Sequence, residues 1–198
     1  MNLAISRILD SWPWYVIRGT GIIAIVLLVT LMISGIGQVT GWTYRFLEPV
    51  KAWLVHKWLS YALLAAVAIH ALTLLIDHYV SFHIVDLVVP FANLYTNQST
   101  ILGMPLTYVA IPAGIIAAYG IVYIVATSLA WINTKKRAWK YSHFVSYGVM
   151  GLVFLHDLGA GSDTTSAIVR VALIGLTLLL GAAVVRRTAF RSTKPAET

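Results

Sequence analysis

The chain has no cysteine, which excludes disulfides and thiolate metal sites and removes any hint of redox compartment from that residue. Charge is scarce too: only 11% of its 198 residues are Asp, Glu, Lys or Arg, against 59% that are hydrophobic. A soluble domain of this length cannot hide so much apolar surface. Acidic residues are the scarcer sign, 7 against 14 basic ones, for a net charge of +7. Nucleic acid is nonetheless an unsuitable partner. The basic residues stand in short clusters between apolar runs, where membrane topology accounts for them. Also lacking are an internal sequence repeat, a low-complexity tract and any segment large enough for a nucleotide-binding domain. The GAGSD at 159–163 has no strand before it, so it reads as a turn and not as a phosphate loop. No small-residue cleavage site precedes the first long apolar run, and the N-terminus reads as an uncleaved start.

What the sequence does have is apolar length. Several stretches reach the roughly 20 residues that a bilayer-crossing helix needs. The predicted fold class is all-α, an integral membrane bundle forming a single domain over residues 1–198. Its five spans are expected at about 14–37, 50–76, 106–131, 139–158 and 166–185. Pro112 predicts a kink in the third, and Arg170 has to snorkel outward from the fifth.

Charge gives the orientation. Arg45, Lys51 and Lys57 follow the first span; Lys135, Lys136, Arg137 and Lys140 follow the third; Arg186, Arg187, Arg191 and Lys194 follow the fifth. The stretches from His78 to Pro105 and from Asp157 to Val169 contain neither Lys nor Arg. The positive-inside rule then places the N-terminus outside and the C-terminus in the cytoplasm, as an odd number of spans requires. The expected location is a bacterial or archaeal plasma membrane. In the second connection, IVDLVVPFANLYTNQST (84–100) is amphipathic and is expected to lie across the outer surface as a cap.

Six histidines occur, and four of them form a pattern. His56 and His70 bracket the apolar stretch HKWLSYALLAAVAIH in the second span; His143 and His156 occupy the fourth. Their spacings correspond to about 21 Å and about 20 Å of helix, so two parallel spans carry imidazoles at two matching depths. His56 shares a level with His143, and His70 with His156. Imidazoles converging from neighbouring helices can clamp an iron porphyrin on both faces, with apolar walls shielding the macrocycle. Two such clamps at two depths make an electron path across the membrane. A lone intramembrane histidine often only hydrogen-bonds to a neighbouring helix, but four in depth-matched pairs favour haem.

The angular phase agrees for one helix only. His56 and His70 fall within about 40° of one face, whereas His143 and His156 diverge by about 140°. A π-bulge or altered twist near Gly148 and Gly151 would repair this, as would a different angle of approach to the second haem. Haem propionates need cations or donors at the membrane edge. Lys57, Arg137 and Lys140, with Trp139 beside them, stand near the inner pair, and Arg18 near the outer pair. His78 and His83, in the outer connection, are expected to serve loop packing.

At these residues the chain resembles the ferric reductase-like transmembrane superfamily, which includes the membrane portions of ferric reductases and NADPH oxidases. The likeness is carried by WYVIRGTG (14–21), by His56, by HALTLLIDHYVSF from His70, by WKYSH ending at His143, and by LHDLGAGSD around His156. It implies two b-type haems per chain. His56 and His143 are the implied iron ligands of the inner haem and His70 and His156 those of the outer, with Arg18 near the outer one. It further implies electrons moving outward to ferric iron, oxygen or a partner protein. Many relatives of this kind continue into a flavin and nicotinamide domain. Here the chain ends soon after the fifth span, so a separate donor is expected, either a flavoprotein reductase or a quinone. The rival readings are a cytochrome b subunit of a quinone-linked respiratory complex and, from another class, a haem or metal transporter. Whether the chain is itself an oxidoreductase or an electron-transfer subunit of one stays open at this stage.

Overall fold

The computed structural model describes residues 3–77, 82–92, 100–101, 104–161 and, beyond these, 166–168, 171, 174–179, 181–182 and 185. The described elements are overwhelmingly helical. Helix α1 is Leu3–Thr40, α2 Pro49–Leu74, α3 Ile84–Val88, α4 Leu106–Trp131 and α5 Lys136–Ala160. A two-residue antiparallel pair, β1 Thr100–Ile101 and β2 Met104–Pro105, leads into α4. Three described helices are long and apolar enough to cross a membrane, over Ser11–Thr40, Pro49–Leu74 and Tyr108–Trp131. They cover the first three predicted spans. The fourth corresponds to α5, long enough to cross but more polar, since it carries Lys140, Ser142, His143, Ser146, His156 and Asp157. Of the fifth, the residues described between 167 and 185 are helical, and the others lie outside the described residues.

Two helical hairpins organise the bundle. Helix α1 packs chiefly on α2 and α4 on α5, with a thinner contact between α2 and α4. The first hairpin turns at Gly41, whose positive φ of 78° opens a 3-10 turn over Trp42–Arg45. Pro49 then starts α2, where its missing N–H costs nothing. Helix α4 continues through Pro112. Gly120 on α4 meets Val149 on α5 so closely that a Cβ there would collide with the valine methyl. Such small-residue contacts let helices approach where lipid supplies no hydrophobic drive to pair them.

The buried core draws on all four long helices: Leu28 and Met32 of α1, Leu63 of α2, Ile121 of α4, Val149 and Phe154 of α5. Hydroxyls inside this apolar bundle are satisfied locally. Thr73 donates to the Ile69 carbonyl at 2.6 Å, Thr127 to Tyr123 at 2.8 Å and Ser142 to Trp139 at 3.0 Å. No buried hydroxyl among these three is left to seek a partner in lipid.

The short α3 begins with a reciprocal cap in which the His83 backbone N–H donates to Asp86 Oδ2 at 2.8 Å. The Tyr119 hydroxyl donates to the Val88 carbonyl, and the Phe91 and Tyr108 rings lie 5.9 Å apart. Tyr108 and Tyr119 are separated by about 16 Å of helix. The segment therefore packs along the flank of α4, and does not only lie across the N-terminal end of that helix as a cap. Residues 93–99 of that stretch lie outside the described residues.

Phe154 is only 2% exposed and is the largest fully buried side chain among the described residues. Truncating it as Phe154→Ala should cost on the order of 3 kcal/mol through lost packing, and Phe154→Leu much less. Thermal unfolding in detergent measures the difference.

Candidate functional site

Each hairpin places two imidazoles on its second helix and steadies them from its first. On α2, His70 Nδ1 donates to the Ile17 carbonyl of α1 at 2.9 Å. On α5, His156 Nδ1 donates to the Ala110 carbonyl of α4, also at 2.9 Å. A carbonyl only accepts, so both rings carry their proton on Nδ1 and leave Nε2 to bind a metal. At the other level the partners are hydroxyls. His56 Nδ1 is 3.3 Å from Ser34 Oγ on α1, and His143 Nδ1 is 3.4 Å from Ser128 Oγ on α4.

The four rings meet in the pairs expected from their depths. His56 and His143 have ring centres 6.3 Å apart, and so do His70 and His156. A metal about 2.0 Å from each imidazole nitrogen, with about 1.1 Å from nitrogen to ring centre, requires a separation of about 6.2 Å. Both pairs match that span. Their planes are inclined by 49° and 87° respectively, which rotation about the metal–nitrogen axis allows. Among the described residues no group of three or more His, Cys, Asp or Glu is placed to hold a metal ion. Two imidazoles at this separation suit an iron whose remaining ligands come from a porphyrin.

A local π-bulge in α5 is not the device that reconciles His143 with His156. The helix is α throughout Lys136–Ala160, and Gly148 and Gly151 lie in its regular interior. The two rings are instead reached at different inclinations and held by partners eighteen residues apart on α4.

Glycine opens the space for the rings. In a helix the carbonyl of residue i lies beside residue i+4, and Gly21 and Gly114 follow Ile17 and Ala110 at that interval. A Cβ on Gly114 would overlap the His156 ring, with Cε1 at 2.7 Å; one on Gly21 would reach only ordinary contact with His70 Cε1 at 3.4 Å. Gly35 stands likewise beside His56, at 3.6 Å from its Cε1. Sequence reasoning passed over these glycines and the serines. Their signal was present as polar or side-chain-free positions inside apolar spans, but only a facing helix gives it meaning.

A cavity of about 520 Å³ surrounds the His56–His143 level, walled by apolar residues such as Leu31, Leu63 and Ile124. Lys57, Lys140 and Trp139 line it as well. Trp139 lies against His143 with ring centres 5.4 Å apart and donates from Nε1 to Ser128 Oγ at 3.2 Å. Lys57 also rests over the Trp53 ring at 5.4 Å. Arg137 is exposed in the first turn of α5, beside Lys135 and Lys136 and outside this cavity. Arg18 follows Ile17 and so stands at the level of His70, its guanidinium 5.0 Å from the Trp14 ring centre. His83 pairs with Asp86 at 3.4 Å in the α3 cap, a loop-packing role; His78 lies outside the described residues.

An apolar helical bundle with three helices long enough to cross a bilayer, holding two close pairs of imidazoles, defines the class as a helical membrane protein. More specifically, residues 20–154 match the family described as ferric reductase like transmembrane component, and the chain belongs to that family. No curated protein and no solved structure gives a match. The matched residues take in all four paired histidines except His156, which follows two positions later.

Gly114 and Gly21 predict unequal tolerance. Gly114→Ala should lower stability by about 1–3 kcal/mol through overpacking against His156. Gly21→Ala should stay within about 1 kcal/mol of the parent, since gained helix propensity offsets a mild contact. Parallel thermal melts in detergent compare them.

Proposed function

We propose that this protein transfers electrons across the membrane through two bis-histidine b-type haems. His56 and His143 would hold the inner haem, and His70 and His156 the outer. The observation carrying this reading is the repeated 6.3 Å separation of paired imidazoles at two levels, in a chain of the ferric reductase like transmembrane family. Each haem supplies a one-electron iron couple at its level, which the protein side chains cannot supply alone.

The chain's own residues do the rest. Ile17, Ala110, Ser34 and Ser128 orient the imidazoles through Nδ1. Leu28, Leu63, Ile121 and Val149 fill the space between the two levels and exclude water from it. Lys57 and Lys140 are suited to the propionates of the inner haem and Arg18 to those of the outer, with Trp139 packed beside His143. Arg137, outside the cavity, fits better with the basic rim. In this reading α5 and residues 166–185 complete five crossings, with the basic connections facing the cytoplasm. A separate flavoprotein or quinone donates electrons on that side. The acceptor beyond the outer haem is ferric iron, oxygen or a partner protein.

Purified protein in sealed vesicles loaded with ferricyanide, with dithionite added outside, tests the proposal. The parent chain should bleach the trapped ferricyanide well above protein-free vesicles. His70→Ala and His56→Ala should each lose one haem and fall to that background. Unchanged transfer in both variants would refute the assignment.

A further inference from the structure

The two levels differ in what receives the proton-bearing Nδ1 of each histidine. At the outer level the partner is a main-chain carbonyl at 2.9 Å on both helices. At the inner level it is a serine hydroxyl at 3.3 Å and 3.4 Å. A carbonyl is the stronger and shorter-range acceptor here, and its position is fixed by the helix.

Each serine oxygen is also shared. Gln38 Nε2 donates to Ser34 Oγ at 3.2 Å, and Trp139 Nε1 donates to Ser128 Oγ at 3.2 Å. The two hairpins thus repeat one arrangement: a helical serine accepting an N–H from a second side chain while facing a histidine Nδ1. With iron on Nε2, Nδ1 keeps its proton and the serine has to act as acceptor. A lone pair already engaged by Gln38 or Trp139 draws less strongly on the imidazole proton. Hydrogen bonding from Nδ1 raises the basicity of a ligating histidine, and a more basic ligand favours the ferric state.

We propose that Ser34 and Ser128 are positioning residues that set the inner haem at a higher midpoint potential than the outer, through deliberately weak acceptance from His56 and His143. The proposal rests on the di-haem reading above. It makes the inner level adjustable by side-chain substitution, whereas the outer level is fixed by backbone. Gln38 and Trp139 act at one remove, by occupying the serine oxygens.

Redox titration of the purified holoprotein, followed by haem absorbance, tests it with opposite signs at one site. The component retained in His70→Ala identifies the inner haem. Ser34→Ala removes an acceptor and should raise the inner midpoint; Gln38→Leu frees the serine oxygen and should lower it. Ser34→Thr, which keeps a hydroxyl, should return it near the parent value. In all three the outer midpoint and a content of two haems should be retained. Retention of both haems with no inner shift, equal shifts at both levels, or a parent inner midpoint below the outer would overturn the proposal. A parent chain that holds no haem would overturn the di-haem reading, and this proposal with it.

Discussion

The architecture depends on keeping an imidazole ring fixed within an apolar helical bundle. A histidine side chain in such surroundings has two polar nitrogens to satisfy, and leaving one unpaired is costly. Here one nitrogen of each ring is given to the preceding helix of its own hairpin, by a carbonyl at Ile17 and Ala110 and by a hydroxyl at Ser34 and Ser128. That contact fixes the ring, and the facing ring of the other hairpin completes a pair. Gly21, Gly35 and Gly114 lie beside these rings, and the cavity at the His56–His143 level is built around one pair of them.

The two hairpins consequently solve the same problem in similar ways despite lacking a detectable sequence repeat. On α1 the partners Ile17 and Ser34 bracket Leu28; on α4 Ala110 and Ser128 bracket Ala117 and Ile121. Between the two imidazole levels lies the buried core, joined by Leu63 from α2 and Val149 from α5. A polar level, an apolar layer and a second polar level thus follow one another through the bundle. The family membership of residues 20–154 points to transmembrane electron transfer.

Much of this was legible in the residues themselves. Apolar run lengths located α1, α2 and α4, and nearly equal histidine spacing on two spans pointed to the ring pairs that the structure brings together. Phase arithmetic served less well. The roughly 140° divergence of His143 and His156 left open a local defect in α5 or a different angle of approach; the helix is α throughout, and each ring has its own anchor on α4. Gly114 and Ser128 were invisible for a related reason: their meaning lies in what faces them across a helix interface, and periodicity along one helix does not contain that information. The flank-lying course of α3 was hidden likewise, since the Tyr119 contact to Val88 joins positions far apart in the chain.

The central claim is that each imidazole pair grips one iron porphyrin. Haem content per purified chain, read together with oxidised and reduced spectra, addresses it most directly. The account predicts two haems b per chain, both low-spin and six-coordinate. A chain with fewer than two, or with a five-coordinate high-spin haem at either level, would contradict it.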